Sequence, residues 1–158
     1  MHRGSGRILS QHLVSFGKMC YDTSKNQFAG DTMTDTLSKT LTVTEAQLAC
    51  AMGSGSLRVL ATPAVVALME NAAAALADEI LADCSLTTVG TAIAIEHTSP
   101  TPLGADITAT ATLTAQEGRL FHFDVTASDA KGEIAKGTHT RVSVKAEKFQ
   151  EKANGKFE

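Results

Sequence analysis

The stretch Thr62-Pro63-Ala64-Val65-Val66-Ala67-Leu68-Met69-Glu70-Asn71-Ala72-Ala73-Ala74-Ala75-Leu76-Ala77-Asp78-Glu79-Ile80-Leu81 decides how this chain folds. Thr62 suits an N-cap, and Pro63 suits the first helical position, where its missing N–H would have had no partner. Alanine, leucine, methionine and glutamate are strong helix formers. The run is apolar on almost every side as far as Ala77, which predicts a helix buried nearly all round. Asp78, Glu79 and Asp83 mark its return to water. One buried helix in a chain of this size needs a sheet to wrap it.

The flanking sequence supplies strands. Before the helix, Leu37, Leu41 and Val43 alternate with Ser38, Thr40, Thr42 and Thr44, a period of two that predicts a half-buried strand. Glu45 to Met52 fits one or two helical turns, and Gly53-Ser54-Gly55-Ser56 then breaks regular structure. No Lys-Ser or Lys-Thr pair follows these glycines, so they are not a phosphate-binding loop, and a lid or turn is the expected use. After Ser85 four strands are expected, over 88–98, 107–117, 119–129 and 133–145. Tight turns at Glu117-Gly118 and Ala130-Lys131-Gly132 separate the last three. The order is strand, helix, then an antiparallel four-strand meander. That predicts an α+β hotdog fold, an antiparallel curled sheet wrapped around one long buried helix.

Composition narrows the function. The chain has 158 residues, enough for one domain with a real core. Its net charge is -3, with no basic excess to hold nucleic acid. Phe121 and Phe123 are the only aromatic residues between positions 34 and 146, so a base-stacking surface is not expected. The most apolar window, 63–77, is interrupted by Glu70 and Asn71 and is too short for a bilayer. Cys20, Cys50 and Cys84 form no C-x-x-C pair, which argues against a zinc ribbon and for three reduced thiols in a cytoplasmic protein. Residues 1–32 are basic and poor in acids. We expect a disordered leader or an extension ahead of Met33, an organelle presequence being the other reading. The domain is then expected over 33–150, with a short polar tail over 151–158.

Three residues stand out chemically. Glu70 sits mid-helix among apolar neighbours, where a lone ionised carboxylate costs several kcal/mol, so it needs a partner, a cavity or a subunit boundary. The bland alternative is a structural ion pair. His97 ends the strand Thr91-Ala92-Ile93-Ala94-Ile95-Glu96-His97 on the apolar face. It is either a satisfied core histidine or, beside Glu70, an acid/base group. Thr62 can simply cap the helix, or its hydroxyl at the helix N-terminus can polarise a carbonyl. Gly90 either lets a ligand approach the backbone or marks a bulge. His122 and His139 are isolated in sequence, and His122 should point outward. No H-E-x-x-H spacing points to a metal.

Val59-Leu60-Ala61-Thr62-Pro63, Leu68-Met69-Glu70, Val89-Gly90-Thr91-Ala92-Ile93, His97-Thr98, Thr101-Pro102-Leu103-Gly104 and Gly137-Thr138-His139 together resemble the fluoroacetyl-CoA thioesterase-like branch of the hotdog thioesterases. The likeness covers about residues 35–150. It implies hydrolysis of a small acyl-CoA without a metal or organic cofactor. It implies Thr62, Glu70 and His97 as catalytic residues, and Gly90, Ala61 and Pro63 at the substrate. Glu70 would be nucleophile or base on water, His97 would shuttle a proton, and Thr62 would position the carbonyl or itself attack, routes that the sequence does not separate. One departure is plain: the stretch from Gly53 to Leu60 has no aromatic residue, whereas the fluoroacetyl-CoA enzyme closes its pocket with an aromatic lid. Selectivity for fluoroacetyl-CoA therefore does not carry over. Two rivals remain: a hotdog hydratase or dehydratase, and a non-catalytic acyl-CoA-binding dimer. A homodimer is expected on any of these readings, because a curled sheet around one helix leaves an edge strand open. Thr62 and Glu70 lie eight residues apart, about 12 Å along an ideal helix. They meet only if the chain bends or if two copies combine.

Overall fold

The computed structural model describes residues 35–157. The leader lies outside the described residues. The chain runs through β1 (Thr36–Thr42), a single 3₁₀ turn (Glu45–Gln47), α1 (Ala49–Met52) and α2 (Thr62–Leu81). It continues through β2 (Leu86–His97), β3 (Asp106–Glu117), β4 (Leu120–Asp129), β5 (Gly132–Lys145) and α3 (Ala146–Asn154). The five strands form one antiparallel sheet in the order β1-β3-β4-β5-β2. The α2 helix packs against it, as the hotdog reading requires.

The expected four-strand meander is corrected in one respect. β3, β4 and β5 are hairpin neighbours, but β2 pairs with β5 at the far edge instead of with β3. The reason lies in the connection. Residues 98–105 carry Pro100 and Pro102, which cannot complete a tight hairpin ladder. This segment instead runs under the N-terminal end of α2, where Thr101 O accepts from Leu60 N and Ala105 O from Val43 N, each at 2.9 Å. It ties the two sheet edges together beneath the helix.

The α2 helix is also less enclosed than its composition suggests. Ala64, Val65, Leu68, Met69, Ala72, Ala73, Leu76 and Ala77 are buried. They recur at helical spacing and face Ile107, Ala109, Ala111, Phe121, Phe123 and Val125 of the sheet within one core. Alanine on both layers lets helix and sheet approach closely. The opposite stripe, Pro63, Ala67 and Asn71, is exposed. Alanine hides this asymmetry in the sequence, because it is apolar on both faces.

Three register shifts bend the sheet, between Leu113 and Ala115, between Ala127 and Ser128, and between Gly90 and Ala92. Each adds local twist and re-aims the side chains beside it. Cys50 is a free, exposed thiol, and Cys20 lies outside the described residues. No described helix is long and apolar enough to cross a membrane. No His, Cys, Asp or Glu cluster among the described residues could hold a metal ion.

Candidate active site

The helix begins one residue earlier than its sequence suggests. Ala61, extended and buried, is the N-cap, and Thr62 is the first helical residue. Thr62 therefore makes no side-chain cap, and its hydroxyl is free for other work. Its Oγ1 lies 3.0 Å from Nδ1 of His97, at the end of β2. His97 Nε2 is buried and has no hydrogen-bond partner among the described residues. A cleft of about 290 Å³ opens onto this pair, lined also by Ser54, Ala61 and Pro100. Pro63 sits beside it on the exposed stripe of the helix.

Glu70 lies elsewhere on the same helix. α2 is unbroken from Thr62 to Leu81, so the eight-residue spacing holds and Glu70 does not join Thr62 and His97 within one chain. Its carboxylate is about 40% exposed, with Oε1 3.6 Å from Nε2 of His139. The same oxygen rests against Gly90, where an added Cβ would lie only 2.5 Å away. The ladder shifts register beside Gly90, as the bulge reading expects, and the group that approaches its backbone is the chain's own Glu70.

Beneath Glu70 is a polar cluster that sequence reasoning missed. His139 and Arg141 are 2% and 7% exposed. Arg141 donates from Nε to Thr88 Oγ1 and from Nη2 to the Thr88 carbonyl, both at 2.8 Å, and its Nη1 lies 3.1 Å from His139 Nε2. His139 Nδ1 lies 2.8 Å from the carbonyl oxygen of Ala92. Burial lowers the pKa of His139, and the Arg141 charge adds to this, while the Ala92 hydrogen bond and Glu70 oppose it. Burial also lowers Arg141 from its ordinary value, against the pull of Glu70 and then Asp78. The available signal was the alternation Gly137, His139, Arg141, Ser143 on one face of β5. It is hard to read because Val142 and Val144, on the other face, look like the core side.

Residues 43–147 match the family described as FlK, fluoroacetyl-CoA-specific thioesterase. A fluoroacetyl-CoA thioesterase from Streptantibioticus cattleyicolor is 44% identical over 68 residues, covering 43% of this chain and 49% of that protein. The match thus spans about half the length of that curated relative. A solved structure of the fluoroacetyl-CoA thioesterase FlK superposes with a TM-score of 0.72 at 30% identity, covering 82% of this chain and 99% of that one. A hot-dog-like protein from Thermanaerovibrio acidaminovorans, at 22% identity and a TM-score of 0.69 over 78% of this chain and 90% of its own, shares the fold.

Proposed function

The chain belongs to the fluoroacetyl-CoA-specific thioesterase family, and from that premise we propose that it hydrolyses a small acyl-CoA thioester to the free acid and CoA. The observation that carries this reading is the Thr62–His97 pair at 3.0 Å, a hydroxyl on an imidazole at the mouth of a cleft. That is the arrangement of an activated nucleophile and its base. The Thr62 hydroxyl gives its proton to His97 Nδ1 as Oγ1 bonds to the thioester carbon. The carbon–sulfur bond then breaks and His97 returns the proton to the CoA sulfur. Water repeats the sequence on the acyl-threonine and releases the acid.

A third group is needed. With Nδ1 serving Thr62, the His97 proton sits on Nε2, which the chain's own atoms cover; a carboxylate beside the pair would stabilise the imidazolium by its charge and not through that atom. Glu70 is the matching carboxylate, but its spacing on α2 places it with a different cluster in its own chain. We place it with Thr62 and His97 of a second copy, in a two-fold homodimer. Three features support that assembly: the free edge of β2, the exposed stripe at Pro63, Ala67 and Asn71, and the partly exposed Glu70 carboxylate. Gly90, Ala61 and Pro63 would border the acyl group. Fluoroacetyl selectivity is not part of the proposal, because 53–60 carries no aromatic residue. Thiol release from a panel of short acyl-CoA esters, by the parent protein and by Glu70→Gln, tests it. Hydrolysis by the parent that drops about 100-fold or more in the variant is expected. No hydrolysis of any ester by the parent would overturn it.

A further inference from the structure

The buried cluster under Glu70 is not needed for any step above, and its chemistry is unusually constrained. A backbone carbonyl can only accept a hydrogen bond, so the His139 nitrogen facing Ala92 O must carry the proton. A guanidinium can only donate, so the nitrogen facing Arg141 must carry the lone pair. His139 is therefore neutral, in the Nδ1–H form. Its Nε2 has no proton to offer Glu70, and their 3.6 Å approach is not an ion pair. The charge that faces Glu70 from below is Arg141.

The geometry points to His139 as a positioning residue for Glu70. Its Nε2 lone pair fixes Nη1 of Arg141, while Thr88 fixes Nε and Nη2, so the guanidinium cannot turn. Arg141 does not touch Glu70. The two lie on either side of His139 Nε2, at 3.1 Å and 3.6 Å, and the fixed guanidinium charge draws the carboxylate toward the ring and Gly90 across that nitrogen. The inference rests on the thioesterase reading for its kinetic consequence, but not for the tautomer. The two hydrogen bonds of the imidazole fix a neutral ring. Arg141 on β5 repels a second proton. Phe123 on β4 stacks at 6.4 Å between ring centroids and offers no charge. β2 supplies the Ala92 carbonyl, which the Nδ1–H already satisfies. The Ala92 hydrogen bond and Glu70 on α2 favour a charged ring, against burial and Arg141, and Asp78 on the same helix acts on Arg141.

Two measurements test this. Nitrogen-15 NMR of the histidine rings in the parent protein at neutral pH should show His139 with a proton on Nδ1 alone. A ring protonated on both nitrogens, or on Nε2 alone, would overturn the proposal whether or not any acyl-CoA is hydrolysed. Kinetics supply the second arm. His139→Leu keeps much of the volume and removes the acceptor, and should cut kcat about 10- to 100-fold through misplacement of Glu70, with KM little changed. His139→Gln can present an acceptor near the Nε2 position and should recover most of that loss. In an Arg141→Met background, His139→Leu should add little further loss, because the two residues act as a unit. Full additivity, or failure of Gln to do better than Leu while both variants remain folded, would contradict the role.

Discussion

Gly90 lies so close to Glu70 that a Cβ on the glycine would meet the carboxylate oxygen at 2.5 Å. The nearest obstructed atom is the far end of a flexible side chain, and His139 Cε1, at 3.1 Å, would have to give by a few tenths of an ångström. Gly90→Ala should therefore displace the carboxylate and leave the strand intact. Turnover is expected to fall about 10- to 100-fold. Thermal stability should stay within about 1 kcal/mol, since alanine itself favours a strand interior over glycine by a similar amount. Kinetics and melting on the same preparation check both halves.

Gly137 gives the opposite result. A Cβ there would lie 2.0 Å from the Ala94 carbonyl oxygen and 2.8 Å from the Ile95 Cα, both backbone atoms of β2. Nothing flexible can yield, so the β2–β5 ladder itself must open. Gly137→Ala should cost about 3 kcal/mol or more, read by denaturant unfolding. A melting temperature equal to the parent's would show that the two strands are not packed as described.

Thr62 separates attack from orientation. Thr62→Ser keeps the hydroxyl next to His97 and should retain measurable thioesterase activity. Thr62→Ala removes the proposed nucleophile and should lose activity on the scale of Glu70→Gln, about 100-fold or more. If Thr62→Ala keeps most of the parent's turnover, Thr62 only orients the substrate, and attack must come from Glu70 or from water activated by it.

The buried His139 makes stability depend on pH with a definite sign. Burial holds its folded pKa below the ordinary histidine value of 6.5. Below that value the unfolded chain takes up a proton that the folded chain refuses, so stability falls as pH drops, until the folded value is reached. His139→Gln has no such group. The difference in melting temperature between the parent and His139→Gln should therefore shift against the parent as pH goes from about 7 to about 5. A difference that does not change with pH would mean that the ring is not held neutral.

Much of this was legible in the sequence because local and global signals agreed. The alternation of Leu37 and Leu41 with threonines, the Thr-Pro start of α2, and the glycine turns before β4 and β5 each named an element that the structure contains. The partnering of β2 was not legible. Period two places a strand and its faces, but not its neighbours. The open face of α2 was hidden by alanine. Thr62, Glu70, His97 and Gly90 were legible as polar or small residues in apolar surroundings. Their grouping was not, since helix spacing separates Thr62 from Glu70 and only the folded sheet brings His97 to one and Gly90 to the other. His139 and Arg141 were missed because β5 carries its polar residues on the buried face.

The most direct measurement is a mixing experiment between two inactive variants. Thr62→Ala retains Glu70, and Glu70→Gln retains Thr62 and His97. If one hydrolytic site is assembled from Thr62 and His97 of one copy and Glu70 of another, a mixed dimer regains one intact site of its two. Subunits exchanged at equal amounts, with half of the dimers mixed, should then release thiol from a short acyl-CoA at about a quarter of the parent's rate. A mixture no more active than its components, in which exchange has been verified, would contradict a site shared between two copies.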